Sequence, residues 1–102
     1  MIIYNVTVNV DKSINDDWLK WMQSVHIPEI MGTGVFIKSQ INQVVSEKDT
    51  GYTYAIAYTC ASMKNLHHYQ VKFAPELQQK HVMRYGDKAV AFRTILNVIE
   101  EF

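Results

Sequence analysis

Tyr52-Thr53-Tyr54-Ala55-Ile56-Ala57-Tyr58-Thr59-Cys60 is the stretch on which the fold turns. Its side chains alternate. Tyr52, Tyr54, Ile56 and Tyr58 fall on one side, and Thr53, Ala55, Ala57 and Thr59 on the other. Aromatic and β-branched residues at period two make a strand. Neither side carries a charge, so neither is a plainly solvated face, and both are expected to be at least partly covered. Just upstream, Ser46-Glu47-Lys48-Asp49-Thr50-Gly51 reads as a polar turn. Before it, residues 35–45 read as another strand, with Val35, Ile37, Ile41 and Val45 on one parity. The short connection makes the two an antiparallel hairpin.

Working outward, Ile2 to Val10 also alternates, with Ile2, Tyr4, Val6, Val8 and Val10 opposing Ile3, Asn5, Thr7 and Asn9. Ser13 with Asp16 resembles a helix cap and its third-residue carboxylate. Ile14, Trp18, Trp21, Met22 and Val25 then follow at helical spacing, and Gly32-Thr33-Gly34 stops the helix. After Cys60 a second helical region begins at Ser62, is interrupted at Pro75, and resumes to about Arg84, with Gly86 closing it. Ala89 to Val98 is the last strand, with Val90, Phe92, Thr94, Leu96 and Val98 on one face and Ala91, Arg93, Ile95 and Asn97 on the other.

The order is β-α-β-β-α-β, the ferredoxin-like pattern of the α+β class. Right-handed crossovers put the helices on one face of a four-stranded antiparallel sheet. The other face then needs a cover, and a homodimer supplies one. With 102 residues, a single domain over residues 1–102 is expected. Ten basic and ten acidic residues cancel, which is no electrostatic footprint for nucleic acid. No segment reaches the roughly 20 apolar residues of a membrane span. The single cysteine, Cys60, excludes an internal disulfide and reads as a small buried hydrophobe. A cytoplasmic protein is the expectation, with no nucleic-acid or membrane partner.

His26-Ile27-Pro28 after an aromatic-rich first helix, together with the order of elements, resembles the dimeric α+β barrel superfamily. That superfamily includes cofactor-free monooxygenases, isomerases and haem-degrading enzymes. The chain more closely resembles an uncharacterised family of short bacterial proteins. His26-Ile27-Pro28, Thr33-Gly34-Val35-Phe36, and Tyr85-Gly86-Asp87-Lys88 with Ala91-Phe92-Arg93-Thr94 carry that similarity over nearly the whole chain. It implies the fold and a dimer, and it brings no established activity.

His26 is the candidate catalytic residue. It continues the side of the helix marked by Trp18 and Met22, next to Pro28, which lacks an N–H for the Ser24 carbonyl and loosens the helix. A neutral imidazole there can abstract a proton. The plainer role for a histidine at a helix end is to cap carbonyls or bond a neighbouring loop. Trp18, Trp21, Met22, Tyr54 and Tyr58 are candidate ligand contacts between helix one and the sheet. Asn5 joins them by resemblance, since a strand-one asparagine contacts ligand in some superfamily members; otherwise it faces water or a dimer partner. Arg93, a charge inside an apolar strand, binds a carboxylate or phosphate ligand, or pairs with an acidic residue across an interface. His67, His68 and His81 show no metal spacing, and no cofactor is expected. These residues lead to three functions: a homodimer binding a small apolar or aromatic ligand, a cofactor-independent enzyme with His26 as general base, or an interaction module without a ligand.

Overall fold

The alternation at the N-terminus becomes strand β1 (Ile2–Val10) in the computed structural model, which describes residues 1–46 and 52–102. A 3-10 turn (Lys12–Ile14) follows, held by Asp11, whose carboxylate accepts from the Ser13 amide at 2.8 Å and the Ser13 hydroxyl at 2.6 Å. The cap therefore sits at Asp11 rather than at Ser13, because the aspartate reaches the amide two residues on and starts the chain coiling early. Helix α1 (Asn15–Trp21) keeps Asp16 and Asp17 in its first turn, where the helix dipole favours them.

The first helix does not run on regularly. Met22–His26 is a π turn, in which the Ile27 amide donates to the Met22 carbonyl five residues back, and α2 (Ile27–Met31) continues from it. Pro28 lies directly beyond, without an amide hydrogen to continue the ordinary ladder. The added residue in the turn swings the side chains round. Val25, expected on the buried stripe, is pushed to 39% exposure, while His26 is buried at 6%, on the side of Trp18 and Met22 as expected.

Strand β2 (Lys38–Gln43) is shorter than the 35–45 span expected. Gly34 has φ 78°, a left-handed turn that redirects the chain, and Phe36 then plugs into the core against Tyr58 and Tyr69. Ladder pairing starts only after it. At the other end Val45 is 96% exposed, so it holds no apolar face. Strand β3 (Tyr52–Cys60) is as read, and the hairpin tip at residues 47–51 lies outside the described residues. Helix α3 (Met63–Lys72) is capped by the Ser62 hydroxyl on the Asn65 amide, and α4 (Ala74–Tyr85) restarts at Pro75. Gly86, at φ 58°, ends α4, and β4 (Ala89–Asn97) closes the sheet one residue short of Val98.

The strand order is β2-β3-β1-β4, all pairs antiparallel. Opposed residues share a face. The register aligns Tyr58, Tyr4 and Ile95, then Ile56, Val6 and Arg93, then Tyr54, Val8 and Ala91, on the face the helices cover. The core lies there. Thr59, Ile3 and Leu96, then Ala57, Asn5 and Thr94, then Ala55, Thr7 and Phe92 form the opposite face. That face is open in the monomer: Val90 is 59% exposed, Phe92 63% and Leu96 45%. Among the described residues, no helix is long and apolar enough to cross a membrane.

Candidate functional site

Five elements meet over the centre of the sheet: the π turn, α2, α3, α4 and the covered face of β1, β3 and β4. They do not close completely. A cavity of about 40 Å³ remains, room for about three waters. Its polar wall is made by Tyr4, His26, Tyr58, Gln78, His81 and Arg93, and its apolar wall includes Met22, Ile30 and Ile56.

The π turn decides how His26 enters this wall. Residues five apart are brought onto one side of the helix by the five-residue hydrogen-bond step. Trp21 and His26 are such a pair, and their rings stack at 4.6 Å with an interplanar angle of 19°. The Arg84 guanidinium covers the Trp21 ring at 5.4 Å. The imidazole is thus held by aromatic packing, and it caps no carbonyl. Its Nδ1 is the one buried side-chain nitrogen or oxygen among the described residues that lacks a hydrogen-bond partner. Burial, then the neighbouring His81, push the ring's pKa down from 6.5 to about 4. His26 is neutral at pH 7.

His81 reaches the same cavity from α4. Its Nε2 accepts from the Trp18 indole N–H at 2.9 Å. Indole can only donate, so His81 Nε2 carries no proton and the neutral ring holds its proton on Nδ1. Burial and then Arg93 lower its pKa as well. The two imidazoles lie 5.8 Å apart between centroids. Helix α4 is fixed against the first helix by Lys80 to Glu29 at 2.9 Å and by the Tyr85 hydroxyl donating to Asp17 at 2.8 Å. The cavity roof is therefore anchored on both sides of His81.

Strand β4 is a sheet edge, and Arg93 stands there exposed, at the solvent side of the cavity. Its partner in the register is Val6, so it faces the helices and not the open side of the sheet. The Tyr4 hydroxyl meets Arg93 and Gln78, which oppose the upward push that burial gives its pKa. Burial also raises Tyr58 and Tyr69, leaving both phenols protonated.

The cavity brings together His26, Met22, Tyr58 and Arg93 from the residues singled out in the sequence. Trp18 and Trp21 stand behind its wall, as donor to His81 and as platform for His26. Tyr54 packs tilted against Trp18 at 4.9 Å and donates to Asn15 at 2.6 Å, outside the cavity. Asn5 is on the other face of the sheet, where its amide donates to Thr7 at 3.2 Å. Alternation alone puts it there, since Tyr4 and Val6 face the helices. Gln78 was not singled out, and His81 was weighed only as a metal ligand. Their signal was present: Ala74, Leu77, His81 and Tyr85 recur at inner-face spacing, so a histidine and a neighbouring glutamine on that stripe mark a polar spot in the core. No group of three metal-binding side chains occurs among the described residues.

Residues 1–99 match the family described as "Domain of unknown function (DUF4286)". No protein of curated function matches the sequence. Among solved structures, the chain is similar to HapK from Hahella chejuensis, at TM-score 0.74 and 10% identity over 100% of this chain and 96% of that one. It is similar to an ethyl tert-butyl ether D (EthD) family protein from Bacillus halodurans, at TM-score 0.70 and 11% identity over 97% and 100%. It is also similar to a dimeric ferredoxin-like protein from an uncultured marine organism, at TM-score 0.67 and 14% identity over 100% and 98%. At these identities the likeness is one of fold.

Proposed function

The chain belongs to the DUF4286 family and has a ferredoxin-like fold, and from that premise we propose that it is a homodimer that binds a small ligand in the cavity beside His26. The observation that carries this is His26, a residue of the cavity wall whose buried Nδ1 has no hydrogen-bond partner. Buried polar groups are nearly always satisfied, and leaving one unmade costs roughly 1–3 kcal/mol. A ligand atom towards which the ring turns would satisfy it. The size of the cavity limits what enters: benzene occupies a cavity of roughly 150 Å³, against about 40 Å³ here. Only a small head group fits whole, and an apolar or aromatic body would extend past Arg93 towards solvent.

A second copy covering Val90, Phe92 and Leu96 would bury the open face, as the dimeric ferredoxin-like neighbour encourages. The cavity lies on the other side of the sheet, so each subunit would keep its own site.

Catalysis with His26 as general base is the second reading, favoured by its neutrality. Its pKa of about 4 argues for binding first. Protonating such a ring at pH 7 costs roughly 4 kcal/mol, so it is a weak base until a ligand changes its surroundings. The cavity itself speaks against a module whose only function is its dimer surface.

The test is chemical-shift mapping of the protein against a panel of small aromatic acids and alcohols, with light scattering for the assembly. The expected result is a dimer whose His26, Tyr58 and His81 resonances move. Shifts confined to the open face with these three silent would contradict the site, and a monomer at micromolar concentration would contradict the assembly.

A further inference from the structure

Resting on the ligand-binding reading above, we propose that the head group this cavity takes is a carboxylate, bound as the anion between Arg93 and His26. Arg93 is the one formally charged side chain on the cavity wall, and no aspartate or glutamate lines it. The ion pairs among the described residues, Lys80 with Glu29 and Arg84 with Asp17, leave Arg93 out. A second copy on the open face would not neutralise it, because the register turns Arg93 towards the helices. The cavity thus keeps a cation that no carboxylate of the described residues neutralises and that bonds only to the neutral Tyr4 hydroxyl.

Its other polar groups complete an anion site. The phenols of Tyr4, Tyr58 and Tyr69 stay protonated, and each can donate. Gln78 brings an amide to the Tyr4 hydroxyl beside Arg93. His26 lines the cavity and its Nδ1 has no partner, so a ring turned towards the ligand, with its proton there, donates to a carboxylate oxygen. Donors prevail and fixed acceptors are scarce, which selects an anion over a cation.

Size then separates the anions. A carboxylate has three heavy atoms, and the cavity of about 40 Å³ has room for about three waters. A phosphate or sulfate, with five heavy atoms, is the bulkier head group. The planar guanidinium suits two carboxylate oxygens, and its exposed place on an edge strand leaves the remainder of the acid directed outward.

The experiment compares benzoate with its neutral analogue, benzyl alcohol, by chemical-shift titration of the 102-residue protein at pH 7. Inorganic phosphate serves as a second anion. Benzoate should shift His26 and His81 and bind about tenfold or more tightly than benzyl alcohol. Arg93→Gln should bring benzoate down to the level of benzyl alcohol, and Arg93→Lys should restore part of the difference. Phosphate should leave His26 unmoved. If benzyl alcohol binds in the cavity as tightly as benzoate, or phosphate competes equally, the carboxylate assignment fails while the ligand site stands. If neither aromatic probe shifts His26, both readings fail. The comparison of probes is made on the unsubstituted protein, so it decides even if an Arg93 variant does not fold.

Discussion

Replacing His26 by phenylalanine keeps an aromatic ring on Trp21 and removes the proton chemistry. Burial lowers the pKa of His26 from 6.5 to about 4 in the folded protein. Between those values the unfolded chain holds the proton that the folded ring refuses, so stability falls as the pH falls through that window. The contribution is unperturbed above pH 6.5 and lost in full below pH 4. Integrated with 1.36 kcal/mol per pKa unit, the loss from pH 7.5 is roughly 2 kcal/mol at pH 5 and roughly 3 kcal/mol at pH 4. Urea unfolding at these pH values, followed by tryptophan fluorescence at fixed protein and salt concentration, measures it. Every other titrating group is common to both proteins, so the difference between the two pH profiles belongs to His26 and its coupling to His81. His26→Phe should lose less stability by roughly 2 kcal/mol between pH 7.5 and 5. Profiles parallel to within about 0.5 kcal/mol would show that the ring is not held neutral by burial, and the reasoning would be refuted.

Trp18→Phe retains a ring against Tyr54 and deletes the N–H that His81 accepts. It should cost at least roughly 1–3 kcal/mol, and nitrogen shifts should show His81 leaving its fixed Nδ1–H tautomer; an unchanged tautomer would mean the indole does not set it. Phe92→Asp places a charge on the open face at a site now 63% exposed, and should yield a folded monomer at micromolar concentration by light scattering. A dimer that persists would move the interface elsewhere. His26→Ala should leave the dimer folded by circular dichroism, whereas its unfolding would make His26 a structural residue.

The strands and the order of elements were legible because alternation is a local property. Ile2–Val10 and Tyr52–Cys60 follow from their own side chains. The end of β2 was not, since nothing in Val35-Phe36-Ile37 announces that Phe36 leaves the edge for the core. Pro28 marked the irregular point and His26 keeps the buried side read for it, but the chain there widens into a π turn, and that extra residue turns Val25 outward. Arg93 was conspicuous as a charge among apolar residues, and its parity already placed it with Ala91 and Ile95. The link from Trp18 to His81 spans 63 residues and exists only once α4 docks on the first helix. A helix face can reveal that His81 points inward, but not which donor it meets.

The nitrogen resonances of the His26 ring at pH 7, recorded while benzoate is added, test the central claim most directly. The account predicts that Nδ1 shifts in step with saturation as its missing hydrogen bond forms, and that the ring's pKa rises from about 4 as an anion settles beside it. Saturable binding of benzoate that leaves both His26 nitrogens and its titration unchanged would contradict it.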